Sequence, residues 1–237
     1  MAYLTGFHAI EERIRAGKAA GPLLVAKAGP RARELVEIAI EKKIRIERTG
    51  SHELDRLAAG NRGIALEVED GIGTDAGFDE LLANLSGRER ALVVILDEIT
   101  DPHNYGAIVR SCDQFGVDMV VTRTKRIAKH TDVIASASAG ASAWAPIVQV
   151  PNLSRAVEML KEADFWVYGA DMDGELAWKK DLRGRTALIA GGEEGLSRLL
   201  RESCDALVAL PSLGHVDSLN VSVAVGALLY EIVRQQS

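Results

Sequence analysis

Short apolar runs alternate with amphipathic stretches along the chain, which predicts strands and helices taking turns. In the first 70 residues the apolar run at 23–26 reads as a strand. Residues 33–43 place Leu35, Val36, Ala39 and Ile40 at helical spacing. A strand at 44–47, a short helix at 52–57 and a strand at 63–69 follow. DGIGTDAG (70–77) is the richest glycine cluster and reads as a linker. Beyond it the pattern predicts helices at 78–85, 104–115, 131–138, 153–162, 195–202 and 219–234. Strands are predicted at 92–96, 117–122, 146–149, 165–169, 187–190 and 206–210. This implies an α/β fold: a mainly parallel sheet with helices on both faces over 78–237, preceded by a small α/β domain at 1–69. In such sheets ligands bind beyond the C-terminal ends of the strands.

With 237 residues and 47% hydrophobic content, the chain can bury one large core or two small ones. The five histidines are scattered and no Cys/His spacing resembles a metal site. Cys112 and Cys204 sit in apolar surroundings and read as reduced, packed thiols. No apolar stretch approaches the roughly 18 residues of a membrane span. MAYLTGFHAIEERIRAG lacks the apolar core of a signal peptide, so a cytoplasmic protein is expected. The net charge of −6 taken alone argues against a nucleic-acid partner, because phosphate binding rests on Lys and Arg. Its distribution changes the picture. Residues 1–70 hold 12 basic and 11 acidic residues, whereas residues 71–237 hold 16 and 23. Within that acidic part, TRTKRIAKH (122–130) carries Arg123, Lys125, Arg126 and Lys129 and no acid. A solvated charged face and a phosphate-binding face remain equal readings of it.

Three segments each follow the C-terminal end of a predicted strand. In DPHNYGAIVR (101–110), Asp101 and Asn104 suit helix capping and Pro102 a turn. Capping leaves Arg110 unexplained, a cation on the second helical turn whose planar fork suits phosphate or carboxylate. In AGGEEGLS (190–197), two glycines after a strand permit close backbone approach, although the spacing is not that of a dinucleotide loop. Glu193 and Glu194 equally suit the dipole of a following helix. In LPSLGHVDSLNVSVA (210–224), Ser218 and Asn220 bracket Leu219 before a helix rich in small residues. Capping accounts for one of the two polar residues, not for the pair plus Gly214. Gly226 inside that helix costs about 1 kcal/mol relative to alanine, which points to close packing by a neighbouring element or a second subunit.

Taken in order, the three loops resemble the three signature motifs of the SpoU/TrmH family, S-adenosylmethionine-dependent RNA ribose 2′-O-methyltransferases of the SPOUT class. Motif 1 is matched by Asn104, Gly106 and Arg110, and motif 2 by Gly191 and Glu193. Motif 3 is matched by Pro211, Gly214, Ser218, Leu219, Asn220 and Ala224. The resemblance covers residues 91–235. The first 70 residues also resemble the family's small RNA-binding domain, opening with a Gly-x-His-Ala segment at Gly6–Ala9. This layout is most similar to the branch that methylates a guanosine in 23S rRNA. Two positions depart from the pattern. GGEEG is one residue shorter than the family's Gly-x-Glu-Gly-x-Gly, and Asp217 stands where a small polar residue is commoner.

The resemblance implies a trefoil knot in the C-terminal part and a homodimer with the active site near its interface. It implies S-adenosylmethionine as cofactor, held around Gly191, Gly192, Leu210, Pro211, Gly214, Leu219 and Asn220, with no metal. RNA is the implied partner, contacted by the N-terminal domain and by Arg123, Lys125, Arg126 and Lys129. Arg110 is expected to bind the adjacent phosphate and stabilise the developing alkoxide. Its guanidinium stays protonated, which leaves the proton acceptor unassigned, with His103 and Asp217 as outside candidates. Asn104, Glu193, Ser218 and Asn220 are expected to orient the ribose and hold the loops. A tRNA or adenosine-specific rRNA methyltransferase, or an RNA-binding relative without catalysis, remain the alternatives.

Overall fold

Four short strands build the first sheet: β1 (Ala2–Leu4), β2 (Leu23–Val25), β3 (Ile46–Arg48) and β4 (Ile64–Val68), in the order β1-β4-β2-β3. β2 runs parallel to β3, and β4 runs antiparallel to both β1 and β2. Because side chains alternate across a strand, Leu23, Ile64 and Leu66 face one side. There they pack with Leu4, with Ile10 and Ile14 of α1 (Phe7–Arg15) and with Leu35 and Ala39 of α2 (Pro30–Glu41). Leu24 and Ala65 face the other side and meet Leu54 and Ala58, at α3 (Ser51–Leu57). The computed structural model describes residues 2–69, 77–123, 131–215 and 218–237, and it divides into two units. The predicted linker at 70–77 lies, except for Gly77, outside the described residues.

The first unit also takes in a segment from much later in the chain. Helix α6 (Thr131–Ala137) adds Ala135 to the core around Leu4 and Ile10. A 3-10 turn at Ala141–Ala143 follows, and the Trp144 indole N–H donates to Glu12 Oε2 at 2.8 Å. Gly140 has a φ of 90°, and a Cβ there would come within 2.6 Å of the Glu12 side chain, so this contact depends on glycine.

The second unit is built on six strands: β5 (Ala91–Asp97), β6 (Met119–Arg123), β7 (Ile147–Val150), β8 (Trp166–Leu176), β9 (Arg185–Gly191) and β10 (Ala206–Ala209). Their order is β10-β8-β9-β5-β6-β7, and every pairing is parallel. One face packs Val93, Ile95, Val121, Val167 and Ile189 against α7 (Leu153–Glu162), α8 (Arg198–Ser203) and the partly buried apolar side of α4 (Phe78–Asn84). The alternate strand residues Leu92, Val94 and Leu96 are equally buried and face the other side, where α5 (Pro102–Gln114) and α9 (Val221–Gln236) pack together. The central strands are thus buried on both faces, which is why they read as continuous apolar runs.

Four elements differ from the expectation. β1 and α1 were not foreseen, because a three-residue strand carries almost no periodic signal. β8 runs to Leu176 rather than ending at 169, with a register shift in its pairing to β10. α8 begins at Arg198, so Glu193 and Glu194 precede it and do not sit in its first turn.

Both cysteines are free. Burial pushes the Cys112 thiol far above its ordinary pKa and the Cys204 thiol up to about 11. Both are therefore protonated at neutral pH, and a protonated thiol is a poor nucleophile. A disulfide reagent at pH 7.5 should modify fewer than one thiol per native chain within minutes and both in guanidinium. Rapid modification of the native protein would contradict this packing.

Candidate functional site

The second sheet changes direction between β5 and β9. From β5 the chain steps outward to β6 and β7, then crosses to the far side to lay down β8, β9 and β10. Ligands in open parallel sheets bind at such a switch point, beyond the C-terminal strand ends. Motif 1 leaves β5 and motif 2 leaves β9, the two adjacent strands there, and Asp97 pairs with Gly191 in register.

The two loops touch backbone to backbone. Glu98, the residue after β5, has a φ of 57°. A Cβ on Gly192 would lie 2.6 Å from the Glu98 carbonyl oxygen, and one on Gly191 only 2.2 Å from Gly195. Glycine is thus required at both positions. The Gly195 N–H donates to the Gly192 carbonyl at 3.0 Å, closing a tight turn with the exposed Glu193 and Glu194 at its tip. Asp97 secures the far end of the loop. It is 1% exposed, and its Oδ2 accepts from the Ser197 N–H at 2.8 Å, just before α8. Its Oδ1 is buried with no hydrogen-bond partner among the described residues. Asp97 is not among the candidates named above, and its only signal in the sequence is a lone acid closing the apolar run ALVVIL.

Motifs 1 and 3 meet through their amides. Asp101 caps α5, accepting from the N–H groups of His103 and Asn104 at 3.2 and 3.1 Å, as its sequence position suggested. Asn220 caps α9, its Oδ1 accepting from the Ser222 N–H at 2.9 Å and the Ser222 hydroxyl at 2.6 Å. Its Nδ2 donates to Asn104 Oδ1 at 2.9 Å. Asn220 therefore spends both ends of its amide inside the protein, and Asn104 keeps its NH2 available.

The remaining candidates are not drawn together. Arg110 is exposed on α5, and its side chain has no ion pair or hydrogen bond among the described residues. His103, Pro211, Gly214, Ser218 and Leu219 are also exposed, and Leu210 is partly so. A Cβ on Gly214 would meet nothing within 4 Å, so that glycine is not held by sterics. Arg123 is exposed at the C-terminal end of β6, on the same edge as motif 1. Lys125, Arg126, Lys129 and Asp217 lie outside the described residues. Among the described residues no group of His, Cys, Asp or Glu could hold a metal ion, and no helix is long and apolar enough to cross a membrane.

These contacts separate the two loop glycines energetically. Gly192→Ala should destabilise the protein by about 1–3 kcal/mol, because backbone has to move, while Gly214→Ala should change stability by less than about 0.5 kcal/mol. Urea titration of both variants checks this, and equal midpoints would contradict the contact at Glu98.

Residues 91–230 match the family model described as the SpoU rRNA methylase family, and residues 3–70 match the model for RNA 2′-O ribose methyltransferase substrate binding. The 23S rRNA (guanosine-2′-O-)-methyltransferase RlmB of Bordetella pertussis is 38% identical over 240 residues, spanning 98% of this chain and 97% of that one. An uncharacterized tRNA/rRNA methyltransferase of Borreliella burgdorferi is 36% identical over 218 residues, spanning 88% and 96%. Among solved structures, the SpoU methyltransferase AviRb from Streptomyces viridochromogenes, in complex with AdoMet, aligns with a TM-score of 0.81 at 25% identity, over 98% of this chain and 89% of that one. The family model spans the parallel sheet and all three loops, and the chain belongs to the SpoU rRNA methylase family.

Proposed function

We propose that the protein transfers a methyl group from S-adenosylmethionine to the ribose 2′-OH of a guanosine in 23S rRNA, and that it works as a cytoplasmic homodimer. The carrying observation is the meeting of motifs 1 and 2 at the switch point, in a chain that aligns along almost its whole length with the B. pertussis 23S guanosine methyltransferase. Residues 1–69 serve as the RNA-binding domain and 78–237 as the methyltransferase domain, a division that the two family models support. The TM-score of 0.81 to a SpoU methyltransferase supports a trefoil knot in the C-terminal domain.

The loop chemistry fits the cofactor. Gly191 and Gly192 offer backbone where a Cβ would collide, and Leu210 and Leu219 offer apolar surface, in keeping with pockets that are mostly apolar with a few polar anchors. When bound, S-adenosylmethionine supplies an electrophilic methyl group on a sulfonium. Gly191, Gly192, Leu210, Pro211, Gly214 and Leu219 hold its adenosyl part. Asn104 uses its available NH2 to orient the ribose, and Asn220 fixes Asn104. Arg110 binds the phosphate beside the target ribose and stabilises the negative charge that develops on the attacking 2′-oxygen, with its proton going to an acceptor other than Arg110. Glu193 and Ser218 position the substrate from the neighbouring loops. Arg123, Lys125, Arg126 and Lys129 contact RNA phosphates.

The outer face of α9 supports the homodimer. Val223 and Tyr230 are 55% and 58% exposed, and Gly226 lies between them at helical spacing. Within the chain, a Cβ at 226 would find only Ser111 Oγ at 3.5 Å, an ordinary contact. A glycine on this face leaves room for the close approach of a partner subunit.

Two outcomes follow. Arg110→Lys and Arg110→Ala should each lower tritiated methyl transfer into 23S rRNA at least about 100-fold, with S-adenosylmethionine affinity nearly unchanged. Retention of most activity by the lysine variant would remove the role of the planar fork. Gly226→Ala should weaken the dimer about tenfold or more by analytical ultracentrifugation while leaving the chain folded. An unchanged dimer would take this face of α9 out of the interface.

A further inference from the structure

We infer that one edge of the first sheet is a contact surface for RNA phosphates, carried by Lys27, Arg48 and Arg62. The inference rests on the methyltransferase reading and assigns its RNA-binding domain a particular face. β1, β2 and β3 all run opposite to β4, so their C-terminal ends gather at one edge beside the start of β4. The register brings the three cations together. Val25 pairs with Arg48 on one side and Ile64 on the other. Lys27 follows two residues later and donates its N–H to the Gly63 carbonyl at 3.1 Å, beside Arg62. The cations thus come from three adjacent strands, each about 5 Å from the next.

All three are exposed, and none of their side chains has an ion pair or hydrogen bond among the described residues. The Arg62 guanidinium lies over the ring of Phe7, 5.8 Å from its centroid. Phe7 is itself packed against the core, so the stack holds the arginine while its N–H edge stays available. The two acids of α3, the helix that follows β3, are oriented by neutral donors. Glu53 accepts from the Thr49 hydroxyl at 2.6 Å, and Asp55 accepts from the Asn61 amide at 2.7 Å. The first turns of α1 and α2, which follow β1 and β2, carry no acid.

The opposite edge, where α2 returns to β3, also holds cations: Lys42, Lys43 and Arg45. There Arg45 is paired with Glu47 at 2.7 Å, and Glu41 is adjacent. A chain of single negative charges is the ligand that three unpaired cations on neighbouring strands suit. In a protein of net charge −6, such a local concentration is where counterion release can drive RNA binding.

The test compares wild type, the triple variant K27Q/R48Q/R62Q and the opposite-edge variant K42Q/K43Q/R45Q. Filter binding to a full-length 23S rRNA transcript is measured over a series of KCl concentrations, alongside methyl transfer from tritiated S-adenosylmethionine. The first triple should bind at least tenfold more weakly, and its slope of log affinity against log salt should be shallower by about 2, since each lost phosphate contact removes about 0.7–0.9. Its KM for RNA should rise while kcat at saturating RNA holds. The opposite-edge variant should stay within twofold of wild type. An unchanged slope in the first triple, or an equal loss in both, overturns the assignment. Wild type that transfers no methyl group to RNA overturns the enzyme reading and this face with it. Transfer with an unchanged slope overturns this face alone.

Discussion

The site depends on two backbone segments lying in direct contact at the end of the second sheet. β5 and β9 are neighbours there, and the chain leaving each must turn away within the space of one residue. Glu98 adopts a left-handed conformation, which costs a side-chain-bearing residue about 1–2 kcal/mol. Gly191 and Gly192 give up their side chains to let Gly195 and the Glu98 carbonyl approach. Asp97 holds the result from beneath, its carboxylate bonded to the Ser197 N–H a hundred residues later. Strain of this kind persists only where the surrounding structure over-determines it. Here strands buried on both faces do so.

On that base the polar residues divide their work. Asp101 and Asn220 cap α5 and α9, the two helices that pack together on one face of the sheet. The capping amide of Asn220 also reaches Asn104, so motifs about 116 residues apart share one hydrogen bond. The Arg110 side chain is left without a partner among the described residues, on a helix whose N-terminus is fixed by its cap. A cation on a rigid element suits the binding of a phosphate in a defined orientation.

Much of this was legible in the sequence, because the signals are local. α7 spans residues 153–162 as its periodicity predicted, and the three loops stand out by composition. What was hidden is non-local or short. Periodicity says nothing of strand order, so the switch point between β5 and β9 could not be read from it. Phe7, Ile10 and Ile14 have helical spacing, but the charged run around Glu11–Arg13 and a three-residue β1 obscured the first elements. α6 reads as a helix from its sequence, yet nothing local tells that its core partners are Leu4 and Ile10. Asp97 looks like the first residue of a loop until its distant partner at Ser197 is known.

The central claim is that this rim methylates a ribose in 23S rRNA. Mass-spectrometric mapping of ribose-methylated nucleosides in total RNA from wild-type and deletion cells tests it most directly. The account predicts the loss of one 2′-O-methylguanosine from 23S rRNA, with tRNA marks unchanged. A lost mark in tRNA, or an unaltered set of 2′-O-methyl marks, would contradict it.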